Sequence, residues 1–156
     1  MNAVGIDVSK GKSVVAVMRP FGEVVFAPFE ISHTDKDLTD LAKKLKSMPG
    51  ETRVVMEATG SYHAPVAWVL HSAGLYVSVV NAVLVHDYGN NSLRRVKTDK
   101  KDSIKLANYA LDRWIHLSFF SIILFCISIS NTNFSAGQIL KSALRSFRLS
   151  CISLLE

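Results

Sequence analysis

Four carboxylates stand where they could work together: Asp7, Glu57, Asp99 and Asp102. Asp7 ends the apolar run "AVGIDVS", Glu57 ends "TRVVME", and Asp99 and Asp102 open "TDKKDSIKLANYALDRW", which has helical periodicity. Residues three apart share a helix face, so Asp99 and Asp102 project the same way. If the runs that end in Asp7 and Glu57 are parallel neighbours, their carboxylates emerge side by side at one sheet edge. A helix laid over that edge would bring the other two. Four such groups converging in a poorly hydrated cleft repel strongly and become stable with cations between them. Hard oxygen donors suit Mg²⁺ or Mn²⁺. Two such ions, about 4 Å apart, can clamp the attacking and leaving oxygens of a phosphoryl transfer.

The two aspartates lie inside the most basic stretch of the chain, "RRVKTDKKDS". Arg94, Arg95, Lys97, Lys100 and Lys101, with Lys10 and Lys12 on the first turn, are candidates to hold phosphates beside the metal. Each residue also has an ordinary reading. Asp7 suits a strand-end turn, and Glu57 suits an exposed position before a helix. Asp99 and Asp102 suit the first turn of a helix, whose dipole favours acids, and the basic run suits a solvated face. His63 would approach a phosphate or simply start a helix. The ring of Tyr62 would stack on a base or, as favoured here, cap the core. "EATGS" lacks the Gly-Lys-Ser/Thr pattern of a phosphate-binding loop.

The elements that must position these groups follow from pattern. "AVGIDVS", "KSVVAVMR" and "EVVFAPFEI" read as three strands joined by tight turns, an antiparallel meander. In "RPFG", Pro20 and Gly22 occupy the places a type I turn prefers. Pro28 cannot donate to a ladder, so the third strand belongs at a sheet edge. Thr34 caps a helix whose Leu38, Leu41, Ala42 and Leu45 share one face, and Pro49-Gly50 stops it. A strand ending at Glu57 follows. Tyr62, Val66, Val69, Leu70 and Ala73 then mark a second helix, and "LYVSVVN" a fifth strand. Strand, crossover helix and strand imply a parallel pair. After a polar loop comes the third helix, with Ile104, Ala107, Leu111 and Trp114 on its buried face. The order β-β-β-α-β-α-β-α is that of a ribonuclease-H-like α/β fold with a mixed sheet.

Composition sets wider limits. A chain of 156 residues, nearly half hydrophobic, can bury a core. Its net charge of +5 favours a polyanionic partner, nucleic acid or an anionic membrane surface. Cys126 and Cys151 have no metal-ligand spacing and form no disulfide framework. The N-terminus has no basic leader and long apolar run, so a cytoplasmic location is expected. Residues 1–114 hold seventeen valines and residues 115–156 none, while the latter hold nine serines and five of the eight phenylalanines. That change of vocabulary sets an expected boundary at about residue 114.

Together, "GIDVSK" at 5–10, "MEATGSYH" at 56–63, "VVNAVLV" at 79–85 and "RRVKTDKKDSIKLANYA" at 94–110 resemble one family. It is the DEDD-type transposases of insertion sequences, the IS-one-ten (IS110) family. The resemblance covers residues 1 to about 114 and implies a RuvC-like domain. The family's acidic residues fall on Asp7, Glu57, Asp99 and Asp102, none substituted. They are implied to bind divalent metal and support DNA strand cleavage and exchange. A structured RNA of the element is implied to guide donor and target pairing, and the full-length protein to be a homo-oligomer. The chain departs from the family pattern at Ala82, where Pro is common, and at Ser103, where Ala is common. The family also carries a helical segment and a second domain with a serine nucleophile, for which this chain has no matching segment.

The expected function is therefore a truncated, Mg²⁺-dependent DNA transposase or recombinase subunit. One alternative is a non-catalytic nucleic-acid-binding or dimerisation module. Another is a small membrane-anchored protein. For residues 115–156, a frame-shifted or truncated reading frame stands beside a packed element of the domain and a membrane anchor. The dense apolar run 117–129 is short for a bilayer span, so membrane insertion is the least favoured of the three.

Overall fold

The computed structural model describes residues 1–58, 60–88 and 98–117. These residues belong to the first of the chain's two units, Met1–Phe120. Strands β1 (Asn2–Ser9), β2 (Lys12–Arg19) and β3 (Glu23–Ser32) lead to helix α1 (Asp35–Lys46). Then come β4 (Thr52–Glu57), α2 (His63–Ser72), β5 (Tyr76–Val80), α3 (Ala82–Asp87) and α4 (Asp99–Asp112). The five strands form one sheet in the order β3-β2-β1-β4-β5. The meander β1-β2-β3 is antiparallel, and β4 and β5 add in parallel beside β1.

Central β1 is buried on both faces, which is why its sequence is a near-continuous apolar run. Its first residue is held by side-chain chemistry. The fully buried amide of Asn2 donates to the Pro49 carbonyl at 3.0 Å and to Thr52 Oγ1 at 3.1 Å, and accepts from Arg19 Nε at 2.8 Å. Those bonds tie β1 to β2 and β4 and satisfy a polar group that would otherwise be costly to bury.

Pro28 lies in an edge strand, as its missing N–H requires. Between Val15↔Phe29 and Val17↔Phe26 the pairing shifts by one residue on β3, so Pro28 sits in a bulge and no ladder bond is forfeited. Thr34 caps α1 by accepting from Asp37 N at 3.1 Å, and Leu38, Leu41, Ala42 and Leu45 are its buried face. On α2 the buried residues are Val66, Ala67 and Leu70.

Three local expectations are corrected. The β2–β3 connection is not a type I turn: Phe21 has φ 65° and ψ 22°, the left-handed conformation that type II demands at its third position. The stretch after β5 is not wholly loop, because Asn81 accepts from Val83 N at 2.9 Å and caps the six-residue α3. The buried face of α4 is Ser103, Leu106, Ala107, Tyr109 and Ala110, with Trp114 beyond the helix, while Ile104 and Leu111 flank it half-buried. Small residues meet the sheet where the helix backbone comes closest, beside Gly5, and Leu106 and Tyr109 fill the space to either side.

Packing runs past the C-terminal end of α4. Trp114 and Leu117 are 9% and 7% exposed and join the cluster of Ala3, Met18, Val55, Val80, Leu106 and Ala107. The apolar segment from residue 118 onward, with both cysteines, lies outside the described residues. Among the described residues no helix is long and apolar enough to cross a membrane.

Candidate metal and nucleic-acid site

The site is built from β1 outward. Gly5 is paired to Val55 of β4, and α4 lies directly on it. A Cβ on Gly5 would stand 2.0 Å from the Ser103 carbonyl oxygen and 2.4 Å from Ala107 N. Only a residue without a side chain admits the backbone of a helix this close. Ser103 and Ala107 supply the small side chains on the other surface. Ser103 is fully buried, and its hydroxyl donates to the Lys100 carbonyl at 2.9 Å, so Ser where Ala is common adds no unsatisfied group.

That contact fixes where the acids go. Side chains alternate across a strand, so Asp7 and Glu57, each two residues beyond Gly5 and Val55, project on the α4 side. Asp7 and Glu57 each follow the last paired residues, Ile6↔Met56, on strands about 4.8 Å apart. Glu57 pairs with Val80 of β5, and Ala58 N donates to the Val80 carbonyl at 2.9 Å, which fixes the strand end. Asp7 lies about 6.6 Å along β1 from Gly5. Asp99 lies about 6 Å along α4 from Ser103. Because Trp114, past the other end of the helix, packs on Arg53 at the level of Ala3, the first turn of α4 lies on the Asp7 side of Gly5.

Electrostatics agree. Lys12 lies at the hairpin after β1, and its ammonium is held above the ordinary lysine value first by the hydrogen bond to Glu30 at 2.7 Å. The Glu30 charge adds to that, burial opposes it weakly, and Asp99 adds a further favourable field. The Asp99 contribution is the smallest of these. Thr98 caps α4, accepting from Lys101 N at 3.3 Å, so both aspartates occupy the first turn, where the helix dipole favours them.

Asp7, Glu57 and Asp102 are half-buried and Asp99 is exposed. Asp7 and Glu57 stand near the ends of neighbouring strands, and Asp99 and Asp102 open the helix that packs on β1. The fold does not draw their side chains into a closed cage: among the described residues no three or more His, Cys, Asp or Glu groups form a metal-ligating set. Mutual repulsion of the carboxylates opposes such closure. The donor set, oxygen without thiol or imidazole, and its placement on three adjoining elements fit a hard divalent cation.

Of the cationic candidates, Lys10, Lys100 and Lys101 are exposed at this same end, Lys10 on the hairpin and the other two on the first turn of α4. Arg94, Arg95 and Lys97 lie outside the described residues. Lys12 is engaged with Glu30. Tyr62 does not cap the core; it is 43% exposed just before α2, and half-buried His63 begins that helix. Sequence reasoning passed over Gly5, although a glycine inside an apolar strand is the usual signature of a close backbone approach.

Comparison with known proteins follows the same lines. Residues 4–120 match the transposase family designated DEDD, IS110 type. Over 56 residues the chain is 41% identical to the pilin gene-inverting proteins of Moraxella lacunata and Moraxella bovis. That stretch is 36% of this chain and 17% of each relative, so the match spans about a sixth of their length. In three dimensions the chain is similar to RuvC of Thermus thermophilus, with TM-score 0.53 at 12% identity over 76% of this chain and 99% of that one. It is similar also to T. thermophilus RuvC in complex with a Holliday junction substrate, with TM-score 0.52 at 12% identity over 74% and 96%. At that identity the likeness is one of fold, and it makes the sheet and its helices RuvC-like, of the ribonuclease-H-like class. With three quarters of its residues matched in sequence and the same stretch folded in this way, the chain belongs to the IS110 family of DEDD transposases.

Proposed function

We propose that this domain is the carboxylate half of a DNA recombination centre, acting in Mg²⁺-dependent phosphodiester cleavage and strand transfer for an insertion sequence. The observation that supports the reading is the contact of α4 on Gly5, which packs the helix that opens with Asp99 and Asp102 against the strand that carries Asp7. In this proposal the four carboxylates close on Mg²⁺ or Mn²⁺, two ions in all, which supply charge neutralisation at the attacking and leaving oxygens. Asp7 and Glu57 hold their oxygens from the rigid sheet. Asp99 and Asp102 bring theirs from the helix. Lys10, Lys100 and Lys101, joined by Arg94, Arg95 and Lys97, hold the DNA backbone without reading its sequence. The serine nucleophile that the family resemblance implies would come from a further domain. Pairing of donor and target through a structured RNA, and assembly of several copies, are proposals of the same origin.

A nucleic-acid-binding module without chemistry is the competing reading. It is favoured by the absence, among the described residues, of a closed metal-ligating set. Binding of branched and duplex DNA separates the two. On the catalytic reading Mg²⁺ tightens binding, and Asp7→Asn abolishes that gain. On both readings Lys100→Ala with Lys101→Ala flattens the salt dependence by about two units of slope. Binding indifferent to Mg²⁺ and to Asp7→Asn would leave only the module.

A further inference from the structure

At the end of the sheet away from the carboxylates, α4 and the turn after it are fastened by one cation. Arg53 of β4 is paired across the strands with Ala3 and Tyr76. Its guanidinium carbon lies 4.6 Å from the ring centroid of Tyr76 and 4.6 Å from that of Trp114. The same group donates to Glu51 Oε1 at 2.8 Å and to the Trp114 carbonyl. The Tyr76 hydroxyl donates to the Leu117 carbonyl at 2.7 Å. Arg53 and Tyr76 thus bind two carbonyls of the segment that leaves α4, and the Trp114 ring completes the contact. The Arg53 side chain is only 18% exposed while Glu51 is 55% exposed, so the bond to the Trp114 carbonyl is the sheltered one and the bond to Glu51 is not.

The helix is a rod with a pivot. Its close contact with Gly5 falls between Ser103 and Ala107. From the middle of that contact, the end of α4 at Asp112 is about 10 Å away on one side and Asp99 about 9 Å on the other. A shift of roughly 1 Å at that end, where the Trp114 turn is clamped, would therefore swing Asp99 by about 1 Å in the opposite sense. Metal ligands and reacting groups are sensitive to displacements of that size. We infer that Arg53 is a positioning residue for the carboxylate site: clamped against Trp114 and Tyr76, it sets the tilt of α4 and so the place of Asp99 and Asp102. The inference rests on the reading of the four carboxylates as a cation site.

The guanidinium geometry is required for this. A lysine ammonium would keep the charge toward Glu51 but could not present a planar fork to a carboxylate and a carbonyl while lying against two rings. The positions that matter are all distant from the acids, so a change in cation binding on altering them would report helix placement rather than loss of a ligand.

The test is a calorimetric titration of the full chain with Mn²⁺. Arg53→Met keeps the aliphatic stem and removes the guanidinium; it is expected to weaken Mn²⁺ binding about tenfold, the loss typical of removing support from behind metal ligands. Arg53→Lys should fall between it and the unsubstituted chain. Tyr76→Phe removes only the hydroxyl bonded to Leu117, and is expected to weaken binding about threefold, the worth of one ordinary hydrogen bond; it serves if Arg53→Met does not fold. Leu45→Val, a core change in α1, should lower the urea midpoint and leave Mn²⁺ affinity unchanged. Equal Mn²⁺ affinity in Arg53→Met, or in Tyr76→Phe where only that variant folds, overturns the inference while the cation site stands. So does an equal loss in Leu45→Val, which would make the effect one of general stability. No Mn²⁺ binding by the unsubstituted chain overturns the cation-site reading, and this inference with it.

Discussion

Gly5→Ala is the smallest change that attacks the geometry of the site without touching a charged group. The added carbon would meet the Ser103 oxygen at 2.0 Å and Ala107 N at 2.4 Å, with Leu106 Cβ at 3.0 Å. The two closest atoms are backbone, so no rotamer change relieves the clash. Ordinary contact begins near 3.4 Å, so α4 must retreat by roughly 1–1.5 Å. Overpacking of this kind costs about 1–3 kcal/mol. A retreat of that size also opens gaps along the buried face of α4, where about half of each dispersion contact is lost once a gap reaches about 1 Å, which over roughly twenty contacts adds about 1–2 kcal/mol. Replacing glycine in a strand returns about 0.5–1 kcal/mol of chain entropy. The net expectation is a loss of about 2–4 kcal/mol. With a urea m-value of about 1.5 kcal/mol/M, the midpoint falls by roughly 1.5–2.5 M. Urea unfolding followed by tryptophan fluorescence reads this directly, because Trp114 is in the cluster that α4 seals. Gly11→Ala is the control: its φ of +77° makes alanine strained, but nothing stands within 4 Å, so a loss of only about 1–2 kcal/mol is expected. A Gly5→Ala midpoint equal to that of the unsubstituted chain, or above that of Gly11→Ala, would refute the claim that α4 rests on the backbone of β1.

Two pH effects follow from the same structure. Tyr88 is pushed up to about 12, first by burial and then by its hydrogen bond to Asp112. A raised value means the fold prefers the neutral phenol, so its contribution is intact below pH 10 and is lost between pH 10 and about 12. Alkaline absorbance titration should show one late-ionising phenol that Tyr88→Phe removes; an unchanged titration in that variant contradicts the assignment. His33 is pushed below the usual histidine range by burial, beside Ser13 Oγ at 2.8 Å from its Nε2. The unfolded chain then takes up the proton more readily, so stability is full above pH 6.5 and declines as pH falls through the folded value. His71 is shifted the same way by burial. NMR titration should place the His33 imidazole below 6.5, and a value at or above it rejects the burial argument.

Much of the scaffold was legible because its signals are local. Pro28 announces an edge strand, Thr34 a helix start, and the strand, crossover helix and strand from Glu57 to "LYVSVVN" a parallel pair. The alternation that puts Asp7 and Glu57 on one face is a consequence of strand periodicity alone. What escaped depends on distant partners. The α4 face was misread because large apolar residues draw attention, whereas a helix pressed against a strand needs Ser103, Ala107 and Ala110 there. Gly5 carries meaning only once the helix above it is known. Arg53 gave no sequence signal, since its rings come from β5 and the segment after α4. Phe21 takes a left-handed turn although it is fully exposed, and no side-chain contact in its sequence neighbourhood announces it. The short α3 was lost because six residues leave room for little more than a capping Asn81.

The proposed function requires that the four acids grip a cation jointly. Calorimetric titration with Mn²⁺ of the unsubstituted chain and of Asp7→Asn, Glu57→Gln, Asp99→Asn and Asp102→Asn tests it most directly, with Asp40→Asn on α1 as the control. The account predicts binding in the unsubstituted chain and the control, and its loss or severe weakening in each of the four. Equal binding in all of them, or none in the unsubstituted chain, contradicts it.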